Sequence, residues 1–376
     1  MAPTTAERVR DQIERLAVTG LDWPTFASAA LDVLNRAVPF TSACLATADP
    51  ATELITGTVK WGELRDIHDG EWARFEYEVP DLYTFQDVAR RPGHVVSLRA
   101  ETDGRPDRSV RFAEFLRPSW GYTDELRAAL RADGHTWGFF ALFRDRHHSE
   151  FTAAEHEFTS RVATAFAIGL RTGLLATAVG TVPVSGGPAV LVIGPDDEIC
   201  QTSLGAADRV AELGGGTLGE SPLPLALRSL VGAARRFAAE GRAVLPKVRL
   251  RTRSGQWMIA HASPLLARDG HTADVVVTIE EARPPEIVPL VVAAFGLTPR
   301  ERDVVRLVLQ GVGTGEVAKT LHMSTYTVQD HLKSIFTKAG VRSRRELTAK
   351  VFYDQYAPRL AGAMGLTPSG WFADPA

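Results

Sequence analysis

The chain has 376 residues, 42 Lys plus Arg against 45 Asp plus Glu, a formal net charge of −3, and 45% hydrophobic against 23% charged residues. That length gives room for two or three domains with a core in each, and the composition is that of a globular chain, which excludes a disordered or collagenous one. Two cysteines, Cys44 and Cys200, exclude a disulfide framework, no apolar run reaches the roughly 18 residues of a spanning helix, and the N-terminus lacks an apolar signal core, so a cytoplasmic protein with no membrane partner is expected.

Residues 5–38 read as two helices, the second with Trp23, Phe26, Ala30, Leu31 and Leu34 at helical spacing. Strand signals follow at Ala43–Thr47 and Ile55–Lys60, and then an aromatic-rich stretch from Trp61 to Phe85. Val95–Leu98 is a short strand and Ser109–Leu116 a helix. The clearest hairpin is Glu125–Arg131, the turn Ala132-Asp133-Gly134-His135, and Thr136–Arg144. A long helix from Thr152 to Ala178 closes this part. Helices, antiparallel strands, and a hairpin leading into a helix that opens with Phe151, Thr152 and Glu155 resemble a GAF domain, a sensory α+β module, over residues 5–178.

The break VPVSGG at 182–187 precedes a smaller unit. Ala189–Ile193 and Glu198–Gln201 read as strands around the turn Pro195-Asp196-Asp197, helical stretches span 203–213 and 223–240, and three strands follow at Leu245–Arg253, Gln256–Pro264 and Thr272–Glu281 with turns at Ser254-Gly255 and Asp269-Gly270. With Val190–Ile193, the turn before Glu198-Ile199 and Ser254-Gly255-Gln256-Trp257, this order resembles a PAS domain over 187–282. Residues 283–296 are expected as a linker, in helical or extended form, and 357–376 as a loosely ordered tail.

Residues 297–356 hold four helix signals in a row. Thr298-Pro299-Arg300-Glu301 is a capping box, with Pro at the first helical position. Gly311 ends that helix, and a second runs from about Gly315 to Leu321. Ser324 caps a third after only His322 and Met323, so the corner between them is tight. The third helix is amphipathic: Val328, Leu332, Ile335 and Phe336 share one face, while Tyr326, Asp330, Lys333 and Thr337 share the other with Gln329 beside them. Ser343-Arg344-Arg345-Glu346 opens a fourth helix. This segment carries a net +4 where the whole chain carries −3, so only this end has the sign that releases counterions from phosphate.

The segment resembles the DNA-binding domain of LuxR/FixJ-type transcription regulators. The matching residues are Leu297, Thr298, Arg300 and Glu301, then Gly311, Glu316, Ala318 and Leu321, then Ser324, Thr327, Val328 and His331, and last Lys338, Gly340, Val341, Ser343 and Arg344. Two positions depart from the family pattern: Gln329-Asp330 stands where a Lys often follows Thr-Val, and Gly313 replaces the usual Ser cap. The resemblance implies a third helix in the major groove, reading bases through Tyr326, Gln329, Asp330 and Lys333. Phosphate contacts are expected from Ser324, Thr327, Lys338, Arg342 and Arg344.

The fold class is therefore multidomain α+β: GAF-like and PAS-like antiparallel-sheet domains followed by an all-α, four-helix LuxR-type reader. No GxxxxGK[ST] loop, phosphoacceptor cluster, metal-ligand spacing or catalytic constellation is present, so no enzyme, cofactor or metal is expected. The expected partners are double-stranded DNA, a second copy of the chain, and a small-molecule or protein signal whose binding residues stay unknown. A second reading, a partner-binding adaptor with weak or lost DNA affinity, stays open because Asp330 stands in the groove-facing row. A third, an upstream enzyme, lacks any residue pair to support it.

Overall fold

Five strands of the first half, the central ones buried on both faces, form one antiparallel sheet. The computed structural model describes residues 4–65, 68–175, 187–240, 246–266 and 272–352, and they fall into two compact units, up to Glu281 and from Ala282. In the first unit β1 (Ser42–Ala48), β2 (Ile55–Trp61), β3 (Val95–Ser97), β4 (Tyr122–Ala132) and β5 (His135–Asp145) lie in the order β2-β1-β5-β4-β3. The β4–β5 hairpin closes at Asp133-Gly134, with φ of 52° and 81°. A two-residue turn of that hand matches the twist of its strands.

The helices of this half are α1 (Thr5–Ala17), α2 (Trp23–Leu34), α3 (Asp69–Tyr77), α4 (Phe85–Arg90), the single turns α5 (Leu98–Glu101) and α6 (Arg117–Trp120), and α7 (Ala153–Leu175). The helix expected over Ser109–Leu116 is present from Val110, takes a π-helical turn at Phe112–Leu116 and runs on into α6. Helices α2 and α7 cover one face of the sheet, and α1 packs on both of them. Phe166 of α7 meets Phe140 of β5 edge-on at 5.4 Å and Phe26 of α2 at 6.0 Å. A Cβ at Gly169 would lie 2.1 Å from the Phe26 ring, so this crossing needs glycine.

The other face lies under α3, α4 and the π turn, where the aromatic-rich stretch becomes core. Phe85 stacks on Phe139 at 4.8 Å, Phe75 on Phe115 at 5.4 Å, and Trp72 leans on Phe143 at 5.7 Å. Buried charges cross this face. Glu125 accepts both guanidinium nitrogens of Arg111, at 2.9 and 2.6 Å, and Nε of Arg127 at 3.1 Å, while Arg127 also donates to Glu76 at 2.9 Å. Burial alone would raise the Glu125 carboxyl, but the two arginines outweigh it and hold it below the usual range.

The second sheet repeats the strand order. β6 (Ala189–Ile193), β7 (Ile199–Thr202), β8 (Lys247–Arg251), β9 (Trp257–Leu266) and β10 (Thr272–Glu281) lie as β7-β6-β10-β9-β8, with α8 (Ala206–Glu212) and α9 (Leu225–Glu240). α9 packs on β9 and β10 of its own sheet and also on α3 and β2 of the first. One buried apolar cluster therefore runs from Ala46 in β1 through Leu227 and Leu230 in α9 to Ile279 in β10. Charged contacts bracket the seam: the backbone N–H and Nε of Arg249 each donate to Asp49 at 2.9 Å, and Arg235 reaches Glu78 at 3.3 Å and Asp197 at 2.8 Å. The described residues of 5–175 and 187–281 thus share one core within the first unit.

The second unit is all helical: α10 (Pro284–Ala294), α11 (Pro299–Leu309), α12 (Thr314–Thr320), α13 (Thr325–Ala339) and α14 (Arg344–Phe352). The stretch 283–296, expected as a linker, holds α10, because Ile287, Leu290, Val291 and Ala294 recur at helical spacing and are buried, and α10 packs on α14. The end of the expected helix at 176–178, residues 182–186, the turn Asp269-Gly270, and 353–376 with the expected tail lie outside the described residues. Among the described residues no helix is long and apolar enough to cross a membrane.

Candidate nucleic-acid interface

Local chemistry positions α11 first. Thr298 and Glu301 exchange hydrogen bonds, Thr298 N–H to Glu301 Oε2 at 2.7 Å and Glu301 N–H to Thr298 Oγ1 at 3.3 Å, which satisfies two orphan donors of the first turn. Gly311 at φ 82° follows the helix end, a left-handed position that glycine takes without strain. α12 starts at Gly313 with no side-chain cap. His322 holds φ 55° between α12 and the Ser324 cap of α13. Only Leu321, His322 and Met323 separate helix from cap, which sets the sharp corner of a helix-turn-helix. Ser324 Oγ accepts the Thr327 N–H at 3.0 Å, and Gly340 at φ 64° ends α13.

The buried face of α13 is Val328, Leu332, Ile335 and Ala339, packed among Val304, Val305 and Val308 of α11, Val317 and Ala318 of α12, and Leu347 and Val351 of α14. Each fully buried aliphatic side chain contributes roughly 1.5–3 kcal/mol, so this core alone orients the helix. Leu321, expected inward with Val317 and Ala318, is half-buried at the corner, and Phe336 is half-buried too.

The outward row is then fixed by geometry. Tyr326, Gln329, Asp330 and Lys333 follow the i, i+3, i+4, i+7 spacing of one helix face and are all exposed, Tyr326 by 72%. Asp330 and Lys333 form an exposed pair at 3.6 Å. All four residues expected to read bases therefore stand together on a single solvent-facing surface.

The five expected phosphate contacts divide. Ser324, Thr327 and Arg342 are exposed, the first two at the N-terminus of α13, where backbone N–H groups favour an anion. Lys338 instead donates to Glu301 at 2.7 Å. Arg344 donates to the Val312 carbonyl at 3.0 Å and to Thr314 Oγ1 at 2.9 Å, tying α14 to the start of α12. Both cations hold the scaffold that carries α13.

Glu301 is the residue whose full role the sequence hid. Besides its cap, it accepts Ser334 Oγ at 2.6 Å and Lys338 Nζ at 2.7 Å, both from α13. Burial alone would raise its carboxyl, but the hydrogen bonds from Lys338, Ser334 and Thr298 outweigh it and hold it at about 2. One carboxylate thus caps α11 and clamps α13. The Thr-x-x-Glu spacing shows the cap; nothing local shows the clamp.

Comparison with known proteins agrees with this geometry. The family described as bacterial regulatory proteins, luxR family, matches residues 296–351. An HTH-type transcriptional regulator of Mycobacterium bovis is 51% identical over 51 residues, 14% of this chain and 6% of that protein, so the chain spans a small part of the length of this relative. The spore germination protein GerE of Bacillus subtilis is 36% identical over 55 residues, which are 15% of this chain and 74% of GerE. Among solved structures, the Vibrio cholerae VqmA dimer matches at 18% identity over 45% of this chain and 81% of that one, with a TM-score of 0.21, too low to carry an argument.

Proposed function

Because the chain belongs to the luxR family of bacterial regulatory proteins, we propose that it is a sequence-specific DNA-binding transcription regulator controlled by a ligand or partner bound to its first unit. The observation that carries this is the exposed row Tyr326, Gln329, Asp330 and Lys333 on α13, opposite a face buried in the helical core. Such a helix enters the major groove with its polar side toward base edges. Gln329 reads adenine, Asp330 accepts from cytosine N4, and Lys333 reaches a guanine or a phosphate. Ser324, Thr327 and Arg342 hold the backbone. Two copies of the chain read paired half-sites, since one unit covers a short stretch of DNA. The two sheets act as GAF-like and PAS-like sensory modules, and a signal works through its differential affinity for two states.

The test is fluorescence anisotropy of the full chain on genomic fragments across a salt series, with site-preference profiling of Asp330→Ala. Binding that weakens with salt, and a base preference that relaxes at one position in the variant, support the reading. A base preference unchanged at every position removes Asp330 from readout. No binding near roughly 50 mM salt favours the second reading, an adaptor that has lost DNA affinity, which the acidic Asp330 in the outward row keeps open.

A further inference from the structure

Among the described residues of the second unit, Phe295 is buried, Phe336 and Phe352 are half-buried, and Tyr326 is 72% exposed. No other aromatic side chain of the described residues, in either unit, is exposed. Within those residues the Tyr326 side chain takes part in no hydrogen bond, ion pair or ring contact. The apolar core of its unit lies on the opposite side of α13, with Val328, Leu332 and Ile335. A ring left in water forgoes the stabilisation that burial gives it. The helix does not ask for it either, since tyrosine is a poorer helix former than alanine or leucine.

The place of Tyr326 on the helix fixes what it can meet. It is the second residue of α13, and helical side chains lean toward the N-terminus, so the ring stands at the leading end of the outward row. One turn on, Asp330 carries a negative charge on the same face. That carboxylate opposes a phosphate, so this part of the face suits base edges rather than the DNA backbone. Gln329, Asp330 and Lys333 present polar ends, and Tyr326 is the one large apolar surface among the four. In the major groove the edges of the base pairs offer an apolar partner at one place, the C5 methyl of thymine.

We propose that Tyr326 is a specificity-determining residue that reads thymine by its methyl group, one thymine in each half-site. The ring carbons cover the methyl as α13 enters the groove, and two apolar surfaces leave water together. The phenolic hydroxyl plays no part in this contact. The inference deepens the DNA reading assigned above to α13 and rests on it.

The test exchanges thymine for uracil, which removes the methyl and leaves every hydrogen-bonding atom of the base pair in place. Duplexes carry the preferred site of the natural chain, found by the same profiling, with its thymines replaced one at a time. Binding of the full chain is read by fluorescence anisotropy for the natural chain, Tyr326→Phe and Tyr326→Ala. At one position in each half-site the natural chain is expected to lose about fourfold in affinity, the worth of one buried methyl. Tyr326→Phe keeps the ring and is expected to show the same loss. Tyr326→Ala is expected to bind the thymine and uracil duplexes alike, about as the natural chain binds uracil. A natural chain indifferent to every exchange overturns the proposal, as does an alanine variant that keeps the fourfold loss. A phenylalanine variant without the loss overturns it too, because the hydroxyl then makes the contact. A preferred site that holds no thymine has the same force. All these results arise with DNA bound, whereas failure of the DNA reading itself shows as no salt-sensitive binding to any duplex and takes this proposal with it.

Discussion

Glu301→Gln tests whether one carboxylate joins α11 to α13. The glutamine keeps the shape and, with its oxygen toward the Thr298 N–H and Lys338, turns its amide N–H to Ser334 Oγ, which then accepts, so what it removes is the charge facing Lys338. The carboxyl lies at about 2 against an ordinary 4.5. A shift of about 2.5 units at about 1.36 kcal/mol each is a stabilisation of about 3 kcal/mol. The folded value is depressed, so this stability is fully present above the unfolded value and is lost as the pH falls from about 4.5 through about 2. Native-state hydrogen exchange with mass spectrometry on the full chain reads it in peptides from α11 and α13. At pH 6–7 those peptides are expected to open about 100-fold more readily in the variant. The gap between the two proteins narrows below pH 4.5 and closes near pH 2, because only the natural chain has a group to titrate there. A gap under about 0.5 kcal/mol, or one that stays constant down to pH 3, would refute the clamp.

Three further outcomes test the remaining geometry. Arg342→Ala is expected to reduce the slope of log affinity against log salt by about 0.9 with base preference unchanged, in the same anisotropy series. Arg344→Ala is expected to leave that slope in place and instead speed exchange at the start of α12, since its guanidinium holds the Val312 carbonyl and Thr314. Glu125→Gln leaves Arg111 and Arg127 buried without their shared anion; the expected loss is about 3–5 kcal/mol for the first unit, read as faster exchange in β4–β5 peptides, and a change within about 0.5 kcal/mol would show that the network relaxes around the amide.

What could be read from the sequence follows from how local each signal is. The reading unit was legible because caps and apolar spacing lie within a few residues of what they control: Thr298 with Glu301, Ser324 with Thr327, and Val328, Leu332 and Ile335 on one face. The β4–β5 hairpin was legible from Asp133-Gly134 for the same reason. The engagement of Lys338 by Glu301 spans 37 positions and leaves no local mark in the sequence. Between the helical and extended forms left open for 283–296 the structure has the helix α10, because Ile287, Leu290 and Val291 are buried within the unit, a packing that the sequence does not display. The two sheets read as separate domains because the second face of α9, where Gly232 meets Tyr77, looks in sequence like an ordinary small residue in a helix.

The seam between the sheets also decides where this chain tolerates being divided. Strand β2 ends one sheet and β8 ends the other, and the two edge strands come together where Arg249 holds Asp49. At that point each edge lies against the other, and an open edge is the surface on which unrelated chains pair and precipitate. A cut at 182–187, the natural-looking place to separate two modules for expression, would bare both edges and the apolar flank of α9 at once. The piece to prepare is the whole stretch through Glu281, and halves of it are expected to aggregate.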